Sequence, residues 1–491
     1  MEYLVTALEM RQYDSNTIEK IGIPAMVLME RAALEAFGVI QERFGNLPPE
    51  NKSVFIMVGV GNNGGDGLAL ARMLCEAEYK VYVQCVGNQD KASEQWKMQR
   101  SILEHFPVFI SRKNNGAEYT IMVDALFGVG LSRNIEGEYA QAIESFNQSK
   151  GFKLSLDIPS GIHADTGEVL GCAVSADVTV TFGFLKRGLM FFPGAEYAGE
   201  VIKADIGIKE RSFLGNPPEM YFYKEEPEKL LPVRDKNGNK GTFGKVLLVA
   251  GNLKMAGAAI LAARAAYRIG AGMVKVISPE ENRIIIQEAI PEALYGTMED
   301  LQESMKWADV IIFGPGMGTG DYALKCLETV IYESNLPLLI DADGLNLLAQ
   351  NPKLQEELAK QGKGERKVIL TPHVGELSRL MQLSISELKR KLPEYGMALA
   401  ARLNAIVVAK DARTFTCKDG FPICVNVHGN SGMATAGSGD VLAGMIGGLL
   451  AQGMEDFEAA SVGIYCHAKA GDRVAALYGE HACMAGDMTR V

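Results

Sequence analysis

The sequence predicts an α/β protein of two domains, each built around a mostly parallel, doubly wound sheet. The chain has 491 residues, which is more than one ordinary domain contains. Short apolar runs alternate with helical patterns along most of it, and this alternation is typical of βαβ units. A stretch rich in Pro, Gly, Asn and charged residues separates two such series, so we expect a domain boundary there.

In the first series, residues 17–44 and residues 66–77 are predicted to form helices. Buried strands are expected where short apolar runs rich in β-branched residues end at glycine or at polar residues. These predicted strands are Ser53–Val58, Val81–Val86, Thr120–Asp124, Lys153–Asp157 and Val178–Phe182. We expect the first domain to span residues 1–213 and a linker to span residues 214–226.

The second series should form a domain over residues 227–491. Helices are predicted at residues 256–269, 440–450 and 459–475, and the first of them is rich in alanine. The predicted strands are Lys245–Ala250, Met273–Ser278, Asp309–Phe313, Pro337–Asp341, Lys367–Thr371, Ala405–Lys410 and Arg413–Cys417.

Composition and charge narrow the class of function. With 49 Lys and Arg against 60 Asp and Glu, the net charge is −11, so no basic field attracts nucleic acid or an anionic membrane. The apolar runs are shorter than the ~18 residues that span a bilayer, and the N-terminus does not resemble a secretory signal. The 8 cysteines include no C-x-x-C pair, which indicates reduced thiols. We expect a cytoplasmic homo-oligomer that acts on small molecules, without nucleic-acid or membrane partners.

The first candidate site is a glycine-rich turn, Gly59–Gly67, between a predicted strand and a predicted helix. Its spacing satisfies G-x-G-x-x-G, a pattern that lets backbone N–H groups and a helix N-terminus approach a phosphate. A dinucleotide-binding dehydrogenase would also carry an acidic residue about 20 positions later, and the next strand ends without one. A tight turn that binds no ligand stays open as the alternative.

Side chains bearing oxygen follow three strands of this domain: Asn63, Asp124, Asp157 and Ser160. The carboxyl ends of parallel strands meet at one edge of a sheet, so these side chains should lie near one another. Hard oxygen ligands suit an alkali or alkaline-earth cation, and Gly128–Gly130 could offer backbone N–H groups to an anion. Either aspartate alone could instead cap the turn that follows it, but the two together favour a site.

The second domain carries another glycine-rich turn, Gly429–Asp440, which leads into an apolar helix. The small residues of the turn and the positive end of the helix suit an anion such as a phosphate. Asp440 at the start of this helix is well placed to act as a general base. No GxxxxGK[ST] sequence occurs, so the chain is not a P-loop enzyme.

Further polar residues follow buried strands of the second domain at the same predicted sheet edge: Asp341, Asp343, His373 and Glu376. Carboxylates beside a phosphate site indicate Mg²⁺, held directly or through water. His373, neutral or cationic near pH 7, could orient a substrate. The segment Lys410–Thr414 could line a nucleotide, although a plain hairpin turn explains it nearly as well.

These motifs resemble a known family. NNGGDG, DALFGVGL and DIPSGI resemble the N-terminal epimerase domain of NAD(P)H-hydrate repair enzymes. GPGMG, IDADGLN, LTPHVGEL and GNSGMATAGSGDVLAGMI resemble their dehydratase domain, which is similar to the ribokinase superfamily. The resemblance covers nearly the whole chain and implies a Rossmann-like first domain and a ribokinase-like second domain.

The resemblance implies a bifunctional metabolite-repair enzyme, an isomerase and a lyase in one chain. NADH and NADPH become hydrated at C6 of the nicotinamide ring, which gives R and S epimers. The first domain would interconvert the epimers with K⁺ bound. The second would remove water from the S form with Mg²⁺ and ADP or ATP, and ADP is favoured because fused bacterial forms resemble ADP users.

For the first domain, the resemblance implies that Asp157 is catalytic and that Asn63, Asp124 and Ser160 hold K⁺. Hydrate-binding residues in this domain would be Asn62, Asn63, Gly64, Gly65, Asp66, Gly128, Val129, Gly130, Leu131, Ser132, Arg133, Asn134 and Asp157.

For the second domain, it implies that Asp440 is catalytic and removes the proton from the hydroxyl that becomes phosphorylated. The hydrate would contact Ala256, Met317, His373 and Asp440. The nucleotide would contact Lys410, Asp411, Ala412, Arg413, Thr414, Asn430, Ser431, Gly432, Thr435, Gly437, Ser438 and Gly439.

Two other functions stay open at this point. The Gly-Ser-Gly-Asp turn at Gly437–Asp440 also fits a vitamin or sugar kinase with a regulatory first domain. Epimerase-like folds can also serve as binding scaffolds. The intact polar residues of the first domain argue against both alternatives, because neither a regulatory domain nor a scaffold needs them.

Overall fold

A computed structural model describes residues 1–113 and 115–490 of the chain. The chain divides into two compact units, Tyr3–Glu219 and a second unit that begins at Met220 and includes Met1–Glu2. We call them the N-terminal unit and the C-terminal unit. The segment predicted as a linker, residues 214–226, contains the strand Met220–Phe222, which belongs to the C-terminal unit.

Strands and helices alternate along the N-terminal unit. Its strands are β1 (Glu2–Val5), β2 (Ser53–Val58), β3 (Lys80–Cys85), β4 (Phe109–Ser111), β5 (Ile121–Ala125), β6 (Phe152–Leu156), β7 (Val178–Phe182), β8 (Leu185–Lys186) and β9 (Glu200–Ala204). Its helices are α1 (Ala7–Ser15), α2 (Ala25–Phe44), α3 (Asn62–Glu76), α4 (Glu94–Leu103), α5 (Gly137–Gln148), α6 (Arg187–Met190) and α7 (Gly194–Ala198).

The main sheet of this unit is parallel and has the strand order β4-β3-β2-β5-β6-β7-β9. Along β2, Val54 and Ile56 enter one hydrophobic cluster, whereas Phe55 and Met57 enter another, because successive side chains of a strand point to opposite faces. The chain order reverses between β2 and β5, and ligands of open α/β sheets bind at such a reversal, beyond the carboxyl ends of the strands.

The prediction of one continuous helix over residues 17–44 is wrong. Asn16–Ile21 form a short π-helix that ends at Gly22, whose φ is +89°. Pro24 then precedes α2 and has no N–H to continue a helical ladder. The apolar periodicity continues through this break and therefore does not reveal it. The sequence Gly-Ile-Pro does indicate a break, because glycine and proline both interrupt helices.

The C-terminal unit repeats the alternation. Its strands are β10 (Met220–Phe222), β11 (Lys245–Val249), β12 (Met273–Ile277), β13 (Leu294–Gly296), β14 (Val310–Phe313), β15 (Leu338–Ile340), β16 (Val368–Leu370), β17 (Ile406–Ala409), β18 (Thr414–Cys417) and β19 (Ile423–Asn426). Its helices are α8 (Ala256–Arg268), α9 (Arg283–Ala289), α10 (Leu301–Trp307), α11 (Asp321–Glu333), α12 (Asp343–Gln350), α13 (Pro352–Lys363), α14 (Val374–Met381), α15 (Ile385–Arg390), α16 (Leu392–Leu403), α17 (Ser438–Ala451) and α18 (Asp456–Tyr478).

The sheet of the C-terminal unit has the order β13-β12-β11-β14-β15-β16-β17-β18-β19-β10. It is parallel from β13 to β17, and the hairpin pairs β17–β18 and β18–β19 are antiparallel. The order reverses between β11 and β14, so this unit also has a switch point at the carboxyl ends of its strands. The predicted α/β class with two sheets is therefore confirmed.

Helix α17 is apolar on all sides and buried from Val441 to Ala451. It packs closely on α8, because a Cβ at Gly444 would come 2.1 Å from the carbonyl oxygen of Ala262. This contact fixes the direction of α17 and hence the position of its N-terminus.

Among the helices of the described residues, none combines the length and the apolar character that crossing a bilayer requires.

Candidate functional sites

A cavity of about 620 Å³ lies at the carboxyl edge of the N-terminal sheet. Loops after β2, β5 and β6 line it, together with α1, α2 and β8. The predicted site residues that line this cavity are Asn62, Asn63, Asp66, Gly128, Val129, Gly130, Leu131, Ser132, Arg133 and Asp157. Gly64, Gly65 and Asn134 are not among its lining residues.

The glycines of the Gly59–Gly67 turn serve packing more than ligand approach. A Cβ on Gly59 would come 2.0 Å from the carbonyl oxygen of Leu126, and one on Gly64 would come 2.0 Å from that of Gly59. Gly61 has open space around it and lines the cavity. The turn therefore brings α3 close to the end of β5, and its N-terminal end faces the cavity.

Asp124, in β5, is fully buried. One carboxylate oxygen accepts hydrogen bonds from Ser160 Oγ at 2.6 Å and from the Leu126 N–H at 3.2 Å. The other accepts from Ser155 Oγ at 2.9 Å and from the Ser160 N–H at 2.8 Å. Burial raises the pKa of Asp124 and these hydrogen bonds oppose the rise. The carboxylate thus ties β5 to β6 and to the loop that follows it.

Asn63 lies in the first turn of α3 and donates from Nδ2 to the Phe127 carbonyl oxygen at 3.0 Å. Ser160 Oγ accepts from the Phe127 N–H at 2.8 Å, so Asn63, Ser160 and Asp124 all meet around one loop. The Oδ1 atom of Asn63 is buried and has no hydrogen-bond donor within residues 1–113 and 115–490. A buried, unpaired amide oxygen is costly, and a bound cation would satisfy it.

Asp157 directly follows β6 and has a φ of +67°, a strained conformation for a residue with a side chain. Its carboxylate pairs with Lys186, whose side chain is 1% exposed. Lys186 Nζ also donates to Thr181 Oγ1 at 3.0 Å and to the Phe182 carbonyl oxygen at 2.8 Å. The lysine therefore fixes Oδ1 of Asp157, while Oδ2 lies on the cavity side, 3.2 Å from where a Cβ on Gly128 would stand.

In the C-terminal unit, the ends of β15 and β17 meet the start of α17. Lys410 Nζ donates to Asp341 Oδ1 at 2.8 Å, and Thr371 Oγ1 donates to the same oxygen at 2.6 Å. A Cβ on Gly439 would lie 3.4 Å from Lys410 Nζ and 3.8 Å from Asp341 Oδ2. Burial alone would lower the pKa of Lys410, but Asp341 and Glu376 raise it overall. A cation therefore stands beside the positive end of a helix, which suits an anionic ligand.

Asp440 lies in the first turn of α17, within electrostatic reach of this lysine. Burial raises the pKa of Asp440 to about 7, Asp341 adds to the rise, and Lys410 opposes it. A carboxyl group with a pKa near neutrality can both accept and release a proton. The turn before it requires glycine, because Gly437 has a φ of +92° and a Cβ there would come 2.4 Å from Leu261 Cδ1.

His373 caps the N-terminus of α14. Its Nδ1 accepts from the N–H of Gly375 at 2.9 Å and from that of Glu376 at 3.4 Å, and its Nε2 is 3.3 Å from Glu376 Oε1. Burial, Lys410 and Arg379 lower the pKa of His373, which favours the neutral form of the ring. Burial raises the pKa of Glu376 to about 7. The side chain of His373 is 55% exposed and is open to a ligand.

The remaining predicted residues of this unit lie on three segments. Lys410–Thr414 forms the hairpin turn between β17 and β18, so the hairpin interpretation describes its backbone. Asn430 Nδ2 donates to Asp472 Oδ1 at 3.0 Å, which anchors the glycine-rich turn to α18. Met317, in the loop after β14, is only 3% exposed and is the most enclosed of the predicted hydrate contacts.

Sequence reasoning gives neither Lys186 nor Thr371 a role in a site, although both lie within its motifs. A lysine is rarely fully buried without a partner, and Lys186 directly follows the run Phe182–Leu185 near the end of a strand. That signal could have predicted a buried ion pair. The sequence does not show which carboxylate is the partner of Lys186. Asp157 lies 29 positions earlier, and only the folded chain brings the two side chains together.

Comparison with protein families matches residues 246–489 to the family described as NAD(P)H-hydrate dehydratase. Residues 25–188 match the family described as YjeF-related protein N-terminus. Both matches fall within the corresponding units of the structure.

Two curated relatives match over nearly the whole chain. The bifunctional NAD(P)H-hydrate repair enzyme Nnr of Coxiella burnetii is 36% identical, and the match covers 99% of this chain and 98% of that protein. The enzyme of the same name from Escherichia coli is 31% identical, with 98% and 91% covered. Among solved structures, the ADP/ATP-dependent NAD(P)H-hydrate dehydratase from Bacillus subtilis, co-crystallised with ATP and Mg²⁺, is 29% identical, and covers 54% of this chain and 94% of its own, with a TM-score of 0.47.

Proposed function

The chain belongs to the family of bifunctional NAD(P)H-hydrate repair enzymes, and from that premise we propose which residues carry each of its two activities. It is an epimerase and a dehydratase of hydrated NADH and NADPH, and this family membership decides against the vitamin or sugar kinase. We assign epimerisation to residues 1–213 and dehydration to residues 227–491. The observation that carries the assignment is that each unit holds a carboxylate beside a cation at its sheet edge: Asp157 with Lys186, and Asp440 with Lys410.

In the N-terminal unit we propose that the hydrate lies in the cavity with its ring against Asp157. A volume of about 620 Å³ is in the range of small-molecule sites. Arg133 lies on an exposed part of its wall and would pair with the pyrophosphate. Asp157 would take the proton from the C6 hydroxyl, while Lys186 holds its other oxygen in place.

In the C-terminal unit we propose that Asp440 removes the proton of the C6 hydroxyl as that oxygen attacks the terminal phosphorus of the nucleotide. Lys410 and the N-terminal end of α17 would stabilise the charge on the transferring phosphoryl group. Phosphate then leaves C6 in place of hydroxide as the ring nitrogen supplies electrons, and C5 loses a proton to water, which restores the C5–C6 double bond. His373, neutral and exposed, would orient the hydrate, and the segments 410–414 and 430–439 would hold the nucleotide.

The side chains at this site suit Mg²⁺ that arrives bound to the nucleotide. Within residues 1–113 and 115–490, no group of three or more His, Cys, Asp or Glu side chains could hold a metal ion. Phosphate oxygens and water would therefore supply most of the ligands, as is common for Mg²⁺. In this proposal Asp341, Asp343 and Glu376 would hold such waters. Bound in this way, Mg²⁺ would neutralise charge on the phosphates.

The decisive assay for both activities uses chemically hydrated NADH, which contains both epimers. With ADP or ATP and Mg²⁺, we expect the dihydronicotinamide absorbance to return for the whole of the hydrate. If only the S epimer disappears, the N-terminal unit is not an epimerase. If neither epimer disappears with either nucleotide, the dehydratase assignment is wrong.

We propose K⁺ as the cation held by Asn63, Asp124 and Ser160. The orphaned Oδ1 of Asn63 supports it. Replacing Asp124 would leave the buried groups that donate hydrogen bonds to its carboxylate without an acceptor. Asn63→Ala therefore tests the cation site with less damage to the fold. We expect Asn63→Ala to raise the K⁺ concentration that gives half-maximal epimerisation by about tenfold. In this titration choline chloride replaces KCl so that the ionic strength stays constant.

The matched control for this K⁺ titration is Asn51→Ala, an exposed asparagine outside the cavity. It should titrate like the unaltered chain. A K⁺ titration of Asn63→Ala that overlays the unaltered one contradicts the cation site.

We predict that Gly439→Ala weakens nucleotide binding without weakening the fold. The added methyl would stand 3.4 Å from Lys410 Nζ, in the space that we assign to a phosphate. We expect the nucleotide KM to rise about tenfold, which is the effect of losing ~1.4 kcal/mol of binding. Thermal stability should stay or rise slightly, because alanine favours a helix over glycine.

Gly320→Ala, where an added Cβ meets nothing within 4 Å, serves as the control for Gly439→Ala. An unchanged nucleotide KM in Gly439→Ala would show that no phosphate lies beside Lys410.

We also propose that the enzyme works in the cytoplasm as a homo-oligomer, with these small molecules as its partners and no role for nucleic acid or membrane. Its acidic net charge of −11 supports the absence of nucleic-acid binding. Sedimentation equilibrium tests the oligomeric state, and a monomer at micromolar concentration would contradict it.

A further inference from the structure

Asp66 is a buried carboxyl group on the wall of the N-terminal cavity. The proton transfer proposed for Asp157 does not use it. It lies in the second turn of α3 and is 9% exposed. Within residues 1–113 and 115–490, its carboxylate has no hydrogen-bond or ion-pair partner. A buried carboxylate without donors is unstable in its charged form.

The charged groups around the cavity do not neutralise Asp66. Lys186 has committed its ammonium hydrogens to Asp157, Thr181 and Phe182. Asp157 and the half-buried Asp14, on α1, add negative charge nearby. The arginines that line the cavity, Arg11 and Arg133, are exposed.

The proton balance of the cavity follows from this arrangement. Burial raises the pKa of Asp66 well above its ordinary value, Asp157 and Asp14 raise it further, and Lys186 opposes them. Burial and the neighbouring carboxylates therefore favour the neutral acid form of Asp66, which faces the same cavity as the lysine-bound Asp157. A carboxyl group that favours its acid form, beside a carboxylate that is paired with a lysine, can form an acid and base pair.

We propose that Asp66 is a second catalytic residue of the N-terminal unit, the general acid that delivers a proton to the ring nitrogen of the hydrate while Asp157 acts as the base. This inference rests on the proposed epimerase site and gives its motif NNGGDG a chemical role.

The proposed step is a reversible ring opening. The C6 carbon of the hydrate carries a hydroxyl group and is bonded to the ring nitrogen N1. Asp157 takes the hydroxyl proton, the C6–O bond becomes a carbonyl, and the C6–N1 bond breaks with its electron pair passing to N1. Asp66 gives its proton to N1, and an open-chain aldehyde results. After rotation about the C5–C6 bond, N1 attacks the other face of the carbonyl, and both protons return to their donors.

The test compares Asp66→Asn with Asp90→Asn, which removes an exposed carboxylate that does not line the cavity. Purified R hydrate is incubated with the full chain and K⁺, without nucleotide, so that the S form accumulates and is measured by chromatography. For Asp66→Asn we expect kcat to fall about 10²-fold, since general acids contribute 10²–10⁴-fold, and KM to change less than threefold. For Asp90→Asn we expect kcat to stay within about threefold.

The pH profile separates a proton donor from a structural role. In the unaltered chain, kcat should fall as pH rises through the pKa of Asp66, because the acid must be protonated. Asp66→Asn should lose this fall at high pH. A kcat within threefold of the unaltered value, or a high-pH fall that persists in Asp66→Asn, overturns the proposal.

Two further outcomes are distinguishable. If the unaltered chain does not interconvert the epimers at all, the proposed function of the N-terminal unit fails, and the acid fails with it. If thermal unfolding shows that Asp66→Asn does not fold, the pH profile of kcat in the unaltered chain tests the proposal instead. A kcat that does not fall between neutral pH and pH 9 overturns the proposal.

Discussion

Replacing Asp440 with asparagine is expected to slow dehydration of the S hydrate by about 10³-fold, within the range of a lost general base. Asparagine has nearly the same shape but cannot take the proton of the C6 hydroxyl. The helix end and Lys410 stay in place, so the nucleotide KM should change little. Epimerisation should stay within twofold, because its residues lie in the other unit. The measurement is the return of dihydronicotinamide absorbance from purified S hydrate, with R-to-S conversion followed in parallel.

The pH dependence of the unaltered chain provides a second readout for Asp440. The carboxyl group must be ionised to act as a base, and its pKa is raised to about 7. The rate of dehydration should therefore rise with pH through about 7 and level off above it. Asp321→Asn, an exposed carboxylate at the start of α11, is the control and should leave the profile unaltered. Equal loss of both activities in Asp440→Asn would refute separate sites.

Replacing Asp157 with asparagine is expected to lower epimerisation by about 10³-fold and to destabilise the N-terminal unit. The activity falls because the base is lost. The stability falls because the ammonium group of Lys186, which is 1% exposed, is left without its carboxylate partner. Breaking a buried ion pair in this way costs about 3–5 kcal/mol. Urea unfolding of the N-terminal unit and R-to-S conversion measure the two effects separately.

The double variant Asp157→Asn, Lys186→Met distinguishes these causes. Methionine removes the unpaired charge, so the double variant should recover much of the lost stability while its activity stays low. The matched control is the exposed pair of Asp205 and Lys209, each 54% exposed, where Asp205→Asn should cost about 1 kcal/mol or less. A double variant no more stable than Asp157→Asn would show that the buried pair is not the source of the loss.

The positions of most strands follow from the sequence within two residues, because a buried parallel strand is a short apolar run bounded by turn residues. Val178–Phe182 is predicted and found with the same bounds. Helix starts are less well predicted: α3 begins at Asn62, four residues before the predicted start at Asp66, and α17 begins at Ser438. In both cases glycines at the end of the turn already belong to the helix, Gly64 and Gly65 in α3 and Gly439 in α17, although glycine disfavours helices on its own.

The site is predictable to the extent that its residues follow strand ends. The strand ends predict that Asn63, Asp124 and Ser160 lie near one another, and the loop at Phe127 does join them. The role of the glycines was not predictable. Gly59 and Gly64 satisfy a phosphate-binding pattern, yet each is required by a carbonyl oxygen 2.0 Å from where its Cβ would stand.

The sequence by itself determined the order of strands, helices and glycine turns in each unit and, through its motifs, the family to which the chain belongs. These features are local, because periodicity and turn chemistry involve residues that are neighbours along the chain. Only the tertiary structure decided which charged groups meet. Lys186 pairs with Asp157 and Lys410 with Asp341, across 29 and 69 positions. Such pairs depend on the order of strands in the sheet and on burial, which set the protonation states that the chemistry requires.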